Sequence, residues 1–493
     1  MSTIRFSGFG VKPYCCLVVV TMIGLFSGAA YGLELTLQQA IEMATTHTSR
    51  ARIIRGDLEV AQQKYFSERI NFVLPSISIN GSLPAFSADE AYRLYGGLRQ
   101  KTTIKQTDLD FRSNIQLEQS LITGGRFTAR ANLFRNRSEY PLWDSLSLTV
   151  DQTTRQGFYE LEFEQPLLRP SNEKHELHNK RDDLALARID KQEQVAEVQK
   201  EVVEAYVGTI LAKLTSQIAQ RNLESARLRF EIDSVQMQDG VISEEELLTS
   251  HSDLLDAELD EFEAANKQGQ QDRELALLLD VGAAEEILPA DPDVPEPLSP
   301  SERTGLIGRW EESAMIMKAQ VKYDKEKRTA DFAASGHGLS GDLRASYSLG
   351  RGSVKTTGEA DDEIKTNSWG LSLNFTYPLW DGGSSGAVVK ASYLKAEKSL
   401  LELERAKRTA QYEIADLVSR MDVGHRKIGL LKKQIDIALD RLDIAKFRFD
   451  DGQISRIALL DAEVDHLKSR RDFLEELEKY YLDSLSLDAM FAN

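Results

Sequence analysis

The residues that most resemble a chemical centre are His175 and His178, which flank Glu176-Leu177. A helical zinc pair needs a spacing that this one lacks, so a solvated helix start accounts for both. Gly336-His337-Gly338-Leu339-Ser340-Gly341 spells the glycine pattern of a dinucleotide loop. Here a helical pattern precedes it and a strand pattern follows, the reverse of the order that cradles a pyrophosphate. His47, His251, His337, His425 and His466 are scattered, and no nucleophile is set beside a base. The expectation is a protein that is not an enzyme and has neither catalytic residues, metal ligands nor cofactor.

The informative spacing is longer. Gln238-Asp239-Gly240-Val241-Ile242-Ser243 and Asp450-Asp451-Gly452-Gln453-Ile454-Ser455 match at an offset of 212 positions. At the same offset Pro166-Leu167 falls on Pro378-Leu379, Ala226 on Ala438, Arg229 on Arg441, and Leu247-Leu248 on Leu459-Leu460. An internal repeat of this length sets the architecture before any local motif does. The repeat units are 33–282 and 303–493, separated by a Pro-rich linker at 283–302 that holds Pro289, Pro292, Pro295, Pro297 and Pro300.

Residues 1–32 carry Arg5 and Lys12, then a short apolar core and the small residues Ser27-Gly28-Ala29-Ala30. This is the pattern of a secretory signal peptide, cleaved after Ala30 or Gly32, and the small residues begin too early for a full transmembrane span. Both cysteines, Cys15 and Cys16, lie inside it, which excludes a disulfide framework in the exported chain. A net charge of -18 argues against nucleic acid, which is held by neutralising phosphates. With 28% charged residues and a mean hydropathy of -0.36, the composition suits long solvated helices. No later segment is apolar for long enough to span a membrane as a helix, so any membrane insertion must be as a β-barrel.

Two periods divide the remainder. After a helical stretch ending at Pro75, alternation of apolar and polar residues runs through Ile77 and Ile79, Leu109 to Leu121, Phe127 to Leu133, Leu146 to Val150, and Tyr159 to Phe163, bracketing strands at about 75–165. Strands in the second half fall at about 342–378, with Trp369, Tyr377 and Trp380 near their ends. A soluble sandwich and a transmembrane barrel both satisfy the alternation; the scarcity of strands before the long helix favours the barrel. Seven-residue spacing marks long helices at about 171–238 and 385–449, with return helices at about 244–280 and 456–490. Val202, Thr209, Ser216 and Leu223 form one seam, and Ile414, Met421, Ile428, Ile435 and Leu442 another. One chain offers four to six strands, whereas single-chain barrels begin at eight, so closure requires several subunits.

With these features in place the chain resembles the TolC-type outer-membrane factor family, the outer membrane efflux proteins. The likeness rests on Leu35-Thr36-Leu37-Gln38-Gln39-Ala40-Ile41, Leu74-Pro75-Ser76-Ile77-Ser78-Ile79, Gln165-Pro166-Leu167-Leu168-Arg169, Tyr377-Pro378-Leu379-Trp380-Asp381-Gly382-Gly383, and Gly452-Gln453-Ile454-Ser455 followed by Leu459-Leu460-Asp461-Ala462. The resemblance implies a homotrimeric channel-tunnel, a membrane β-barrel continued by a coiled-coil helical barrel in the periplasm of a Gram-negative-type cell. It implies an exit duct for a tripartite efflux or type I secretion system, with a periplasmic membrane-fusion adaptor and an inner-membrane transporter, proton-driven or ABC, as partners. The competing class is a non-conducting periplasmic coiled-coil adaptor or scaffold.

The resemblance also assigns sites. Asp239, Gly240, Val241, Ile242 and Ser243, with Asp451, Gly452, Gln453, Ile454 and Ser455, become adaptor-docking hairpin tips. Asp461 takes the acid position of a periplasmic gate. The family's second gate acid falls on Ala458 and its arginine on Ile454, with Arg456 nearby, so the lock departs from the family pattern; Arg456 is expected to pair with Glu246 or its neighbours Glu244 and Glu245. The family has two strands per half, and the extra alternating stretch at 123–133 is either an added barrel hairpin or a surface extension.

Overall fold

The computed structural model describes residues 33–94, 101–141, 149–282, 287–336, 338–358 and 360–491. The expected export signal at 1–32, Leu146, Leu148 and His337 lie outside them. Contacts divide the chain into two compact units. One takes the described part of Met1–Arg52 with Glu197–Pro297 and Arg420–Leu485; the other takes Ile53–Ala196, Leu298–Ser419 and Ser486–Asn493. Each unit draws on both halves of the chain, because the long helices contribute residues to both.

The second unit holds an antiparallel sheet built from β2 (Ser76–Leu94), β3 (Lys101–Ser120), β4 (Arg126–Pro141), β5 (Thr149–Pro166), β7 (Ser340–Thr356) and β8 (Asp362–Thr376), in the order β2-β3-β4-β5-β7-β8. Register carries the alternation across all six strands. Ile77, Leu117, Ala129, Leu161, Tyr347 and Trp369 form one transverse row, and Ile79, Ile115, Ala131, Tyr159 and Leu349 lie in the next row on that face. The apolar face is bare: Ile77 is 67% exposed and Trp369 79%. The opposite face is laced with polar contacts, Arg130 reaching Glu160 at 3.2 Å and Glu162 at 2.9 Å. Among the described residues β2 and β8 have no partner on their outer edges.

The alternating stretch at 123–133 belongs to β4 and its turn, so β3 and β4 continue the sheet as a hairpin. Their turn is locked to the end of β5. Thr123 Oγ1 donates to Gln165 Oε1 at 2.7 Å, and Gln165 Nε2 donates to the Thr123 carbonyl at 3.0 Å. Gly124 sits at φ +84°, and a Cβ there would lie 2.5 Å from that of Ser171. Backbone conformation and close approach both demand glycine.

The first unit contains β1 (Leu33–Leu35) and α1 (Leu37–Thr46). It also holds parts of α2 (Ser49–Ile70), α3 (Asn172–Gln238), α7 (Ser384–Asp450) and α8 (Arg456–Phe491), all of α4 (Glu244–Leu278), and β6 (Ile287–Pro289). The remaining helices, α5 (Pro300–Gly308) and α6 (Ala314–Ser335), lie in the second unit. The seven-residue seam on α3 is closed: Val202, Ala205, Thr209, Ala212, Ser216 and Ala219 are all buried. Small side chains at these positions let neighbouring backbones approach, and Thr209 satisfies its hydroxyl on the Ala205 carbonyl at 2.9 Å. The end of α4 meets the start of α2 at Asp280, whose carboxylate accepts from the Ser49 amide at 2.5 Å and hydroxyl at 2.8 Å. Asp280 thereby caps α2 from a distant part of the chain.

The Pro-rich stretch is more than a spacer. Its β6 pairs in parallel with β1, Leu33 opposite Ile287 and Leu35 opposite Pro289. The buried Tyr206 hydroxyl lies 2.7 Å from the Leu35 carbonyl and 2.8 Å from that of Ala290, and Tyr481 donates to the Asp293 carbonyl at 2.7 Å. Burial pushes the Tyr206 phenol up to about 12, so it remains a neutral donor. Proline denies this segment a place inside a sheet, but tyrosines on α3 and α8 can still hold its carbonyls.

Gly124→Val should destabilise the sheet by roughly 2 kcal/mol or more, since a left-handed backbone alone costs a side chain about 1–2 kcal/mol. Thermal unfolding of the purified variant followed by circular dichroism checks this; an unchanged midpoint would mean that the turn is not fixed as described.

Candidate functional site: the hairpin tips and the ionic cluster behind them

Both helical hairpins turn by the same backbone device. Gly240 (φ +73°) donates to the Met237 carbonyl at 3.0 Å and Val241 to that of Gln236 at 2.8 Å. In the second hairpin Gly452 (φ +70°) donates to Phe449 at 2.9 Å and Gln453 to Arg448 at 2.8 Å. This is the Schellman closure, in which a left-handed residue lets two amides satisfy the last helical carbonyls. Ser243 and Ser455 then cap the return helices by accepting from Glu246 and Ala458, each at 3.3 Å. Nothing lies within 4 Å of a Cβ built on either glycine. Asp239, Val241, Asp451 and Gln453 are exposed, while Ile242 and Ile454 are half-buried. The tips therefore present short, rigid, open surfaces.

Glu246 does not meet Arg456. Its carboxylate accepts from the Ser243 amide at 2.8 Å and the Ser243 hydroxyl at 3.1 Å, completing a capping box. Those bonds, the amide's first, hold it below the usual carboxylate range. Glu244 and Glu245 occupy the same first turn of α4, where negative charge complements the helix dipole. Arg456 instead turns to α3. Its Nε and Nη2 lie 3.1 and 2.8 Å from Glu224 Oε1, and its Nη1 lies 3.7 Å from Glu463.

Arg221 closes the circuit, 2.9 Å from Glu463 and 3.3 Å from Glu224. The result is a four-membered ring, Arg456–Glu224–Arg221–Glu463, tying the second hairpin's return helix α8 to the first hairpin's long helix α3. The Arg456 hydrogen bond is the main reason the Glu224 carboxyl sits below its ordinary range. Asp461 stands apart from this ring, exposed, with Arg229 at 3.6 Å. Glu224, Arg221 and Glu463 are absent from the sequence-based site because a helical period does not say which turn of α3 lies against the start of α8. Ser243-x-x-Glu246, by contrast, is a capping-box signature visible in the sequence.

Residues 311–493 match the family model described as outer membrane efflux protein. Over these residues the second half of the chain is similar to that family. The alkaline protease secretion protein AprF of Pseudomonas aeruginosa is 24% identical over 299 residues, which is 58% of this chain and 58% of AprF. OprJ, an outer membrane protein of the same organism, is 25% identical over 150 residues, 30% of each chain. The chain thus spans somewhat more than half the length of the first of these curated relatives, and less of the second. Among solved structures, the CmeC outer membrane channel of Campylobacter jejuni shares the fold with a TM-score of 0.60 at 14% identity, over 93% of this chain and 87% of CmeC. VceC of Vibrio cholerae aligns with a TM-score of 0.56 at 14% identity, over 92% and 96%.

Further along α8, burial together with the Glu204 and Glu475 carboxylates pushes Glu478 up to about 7. A raised carboxyl favours the folded state fully below its unfolded value near 4.5, and that contribution is lost as pH rises through about 7. Glu478→Gln should therefore raise the unfolding midpoint at pH 8 and leave it unchanged at pH 4.5. A midpoint gain of equal size at both pH values would show that packing, not charge, is responsible.

Proposed function

We propose that three copies of this chain form a passive exit channel through the outer membrane, the outermost part of a tripartite efflux or type I secretion system. The observation that carries this reading is the six-stranded sheet, with one bare apolar face, two open edges and long helices leaving from a single end. In lipid an unpaired strand edge leaves amides and carbonyls unsatisfied, so such a sheet must close on other copies of itself. Three copies bring eighteen strands, and barrels of that size enclose an aqueous passage. The β3–β4 hairpin adds two strands to the four per chain that the family resemblance implies. The pore would be correspondingly wider than that of a twelve-stranded relative.

A second apolar pattern supports self-association. On α7, Val423, Leu430, Ile437 and Ile444 recur every seven residues on a face other than the buried seam, and all are more than half exposed. On α4, Leu248, Leu255, Leu259 and Phe262 form a similar bare stripe. Seven-residue stripes of this kind are completed by helices of neighbouring copies. Exposed Tyr377 and Trp380 follow β8 at the helical end of the sheet, where an interfacial aromatic girdle belongs. A non-conducting scaffold has no use for these features.

The helical part lies in the periplasm in this reading. The tips around Gly240 and Gly452 dock a membrane-fusion adaptor, and an inner-membrane transporter supplies the energy. The Arg456–Glu224–Arg221–Glu463 ring holds the two hairpins together as the closed gate. Asp461, repeated around a three-fold axis, gives the entrance its cation preference. No catalytic role is assigned.

Conductance in planar bilayers tests the gate. Glu224→Gln with Arg456→Gln should raise the resting conductance severalfold, and Asp461→Asn should lower cation selectivity without affecting assembly. Unchanged currents from the double variant would sink the latch, and unchanged selectivity would remove Asp461 from the pore. Docking is tested by photo-crosslinking in cells from Val241 and Gln453. Adducts with a periplasmic adaptor are expected, and adducts solely between copies of this chain would favour the scaffold.

A further inference from the structure

The apolar face of the sheet does not stay apolar along the strands. Its apolar rows extend from Leu343 and Leu373 near the helical end to Tyr159 and Leu349, roughly 20 Å along the strands. Beyond them, toward the loops, the same face turns basic. Arg135 on β4 lies directly opposite Arg155 on β5, and Arg351 on β7 lies opposite Gly157, two positions along. Like charges facing each other across two strands destabilise a sheet.

Elsewhere on these strands the arginines are neutralised: Arg130 by Glu160 and Glu162, Arg137 by Asp151, and Arg344 by Glu164. Arg135, Arg155 and Arg351 are exposed and, among the described residues, have no carboxylate partner. The one acid beside them, Glu363, is already engaged by Lys365 at 2.5 Å.

These arginines border a shallow recess of about 1040 Å³ on that face. Gly157 forms part of its floor, and Phe111, Leu133 and Tyr159, each 41–47% exposed, line it with apolar surface. Planar guanidinium groups on adjacent strands suit the oxygens of a phosphate, and the apolar rows below suit an acyl chain.

We propose that this recess binds the phosphate-bearing headgroup of a membrane lipid. The arginines hold the phosphate, and the acyl chains run down over Leu133 and Tyr159. The inference rests on the outer-membrane reading above. With the helices in the periplasm, the loop end of the sheet faces outward, and the lipid belongs to the outer leaflet. The bound anion would relieve the Arg135–Arg155 repulsion that the bare sheet carries.

The test uses the full exported chain purified in neutral detergent. Native mass spectrometry records adducts with lipid A, with dephosphorylated lipid A, and with lipid A in competition with inorganic phosphate. The expected result is retention of lipid A at least about tenfold above the dephosphorylated lipid, reduced about tenfold by Arg135→Gln with Arg155→Gln, and resistant to millimolar phosphate. Equal retention by wild type and variant would overturn the site. Displacement by millimolar phosphate would overturn a lipid site in favour of a simple anion site. Arg135→Lys with Arg155→Lys, which preserves charge, should recover part of the binding. Bilayer conductance of the same preparations separates the two readings. A conducting variant that has lost lipid A supports the site, conduction with unaltered lipid binding refutes the site alone, and absence of conduction in the wild type refutes the channel.

Discussion

Every hydrogen-bonding group along a strand in lipid needs a partner, and that requirement governs this chain more than any single side chain does. Four internal strands of the sheet are satisfied by their neighbours, while β2 and β8 each present an open edge. In the proposed channel these edges make one chain an incomplete object, which contributes an even number of crossings and enters and leaves on the side from which its helices extend. The helical part faces the same incompleteness in water. Its α3 seam is closed within the chain, whereas the Val423–Ile444 stripe on α7 and the Leu248–Phe262 stripe on α4 are left for another surface.

Much of this was legible because sheets and packed helices write their periods into sequence. Alternation through Leu109–Leu121 and Phe127–Leu133 marked β3 and β4, and seven-residue spacing marked the seams of α3 and α7. Whether the β3–β4 hairpin joined the sheet was not legible, since a period of two says which face is apolar and not which strand lies alongside. The register that sets Leu117 against Ala129 settles it. What the Pro-rich linker touches was not legible for a related reason. Its prolines announce irregular backbone, but the tyrosines that hold it, Tyr206 at Ala290 and Tyr481 at Asp293, come from distant helices.

The ionic cluster marks the limit of local reasoning. Charges on an exposed helix have many candidate partners, and the equivalent places of Glu246 and Arg456 just past the two matching tips favoured that pairing. A competing interaction took Glu246 first, because a free amide at a helix start binds a carboxylate reliably. Arg456 was then available to Glu224 across the interface between hairpins. Single exposed ion pairs contribute only about 0–1 kcal/mol, which suits the releasable latch proposed above; a ring of four shares each charge between two partners.

Closure of the sheet by other copies of the chain is the central proposal, and electron cryomicroscopy of the purified protein in lipid nanodiscs tests it most directly. The predicted result is a three-fold symmetric particle whose membrane region is a single barrel of eighteen strands, with β2 of one copy paired to β8 of the next. A barrel of twelve strands with the β3–β4 hairpin outside it, or a particle whose β2 and β8 edges remain unpaired, would contradict it.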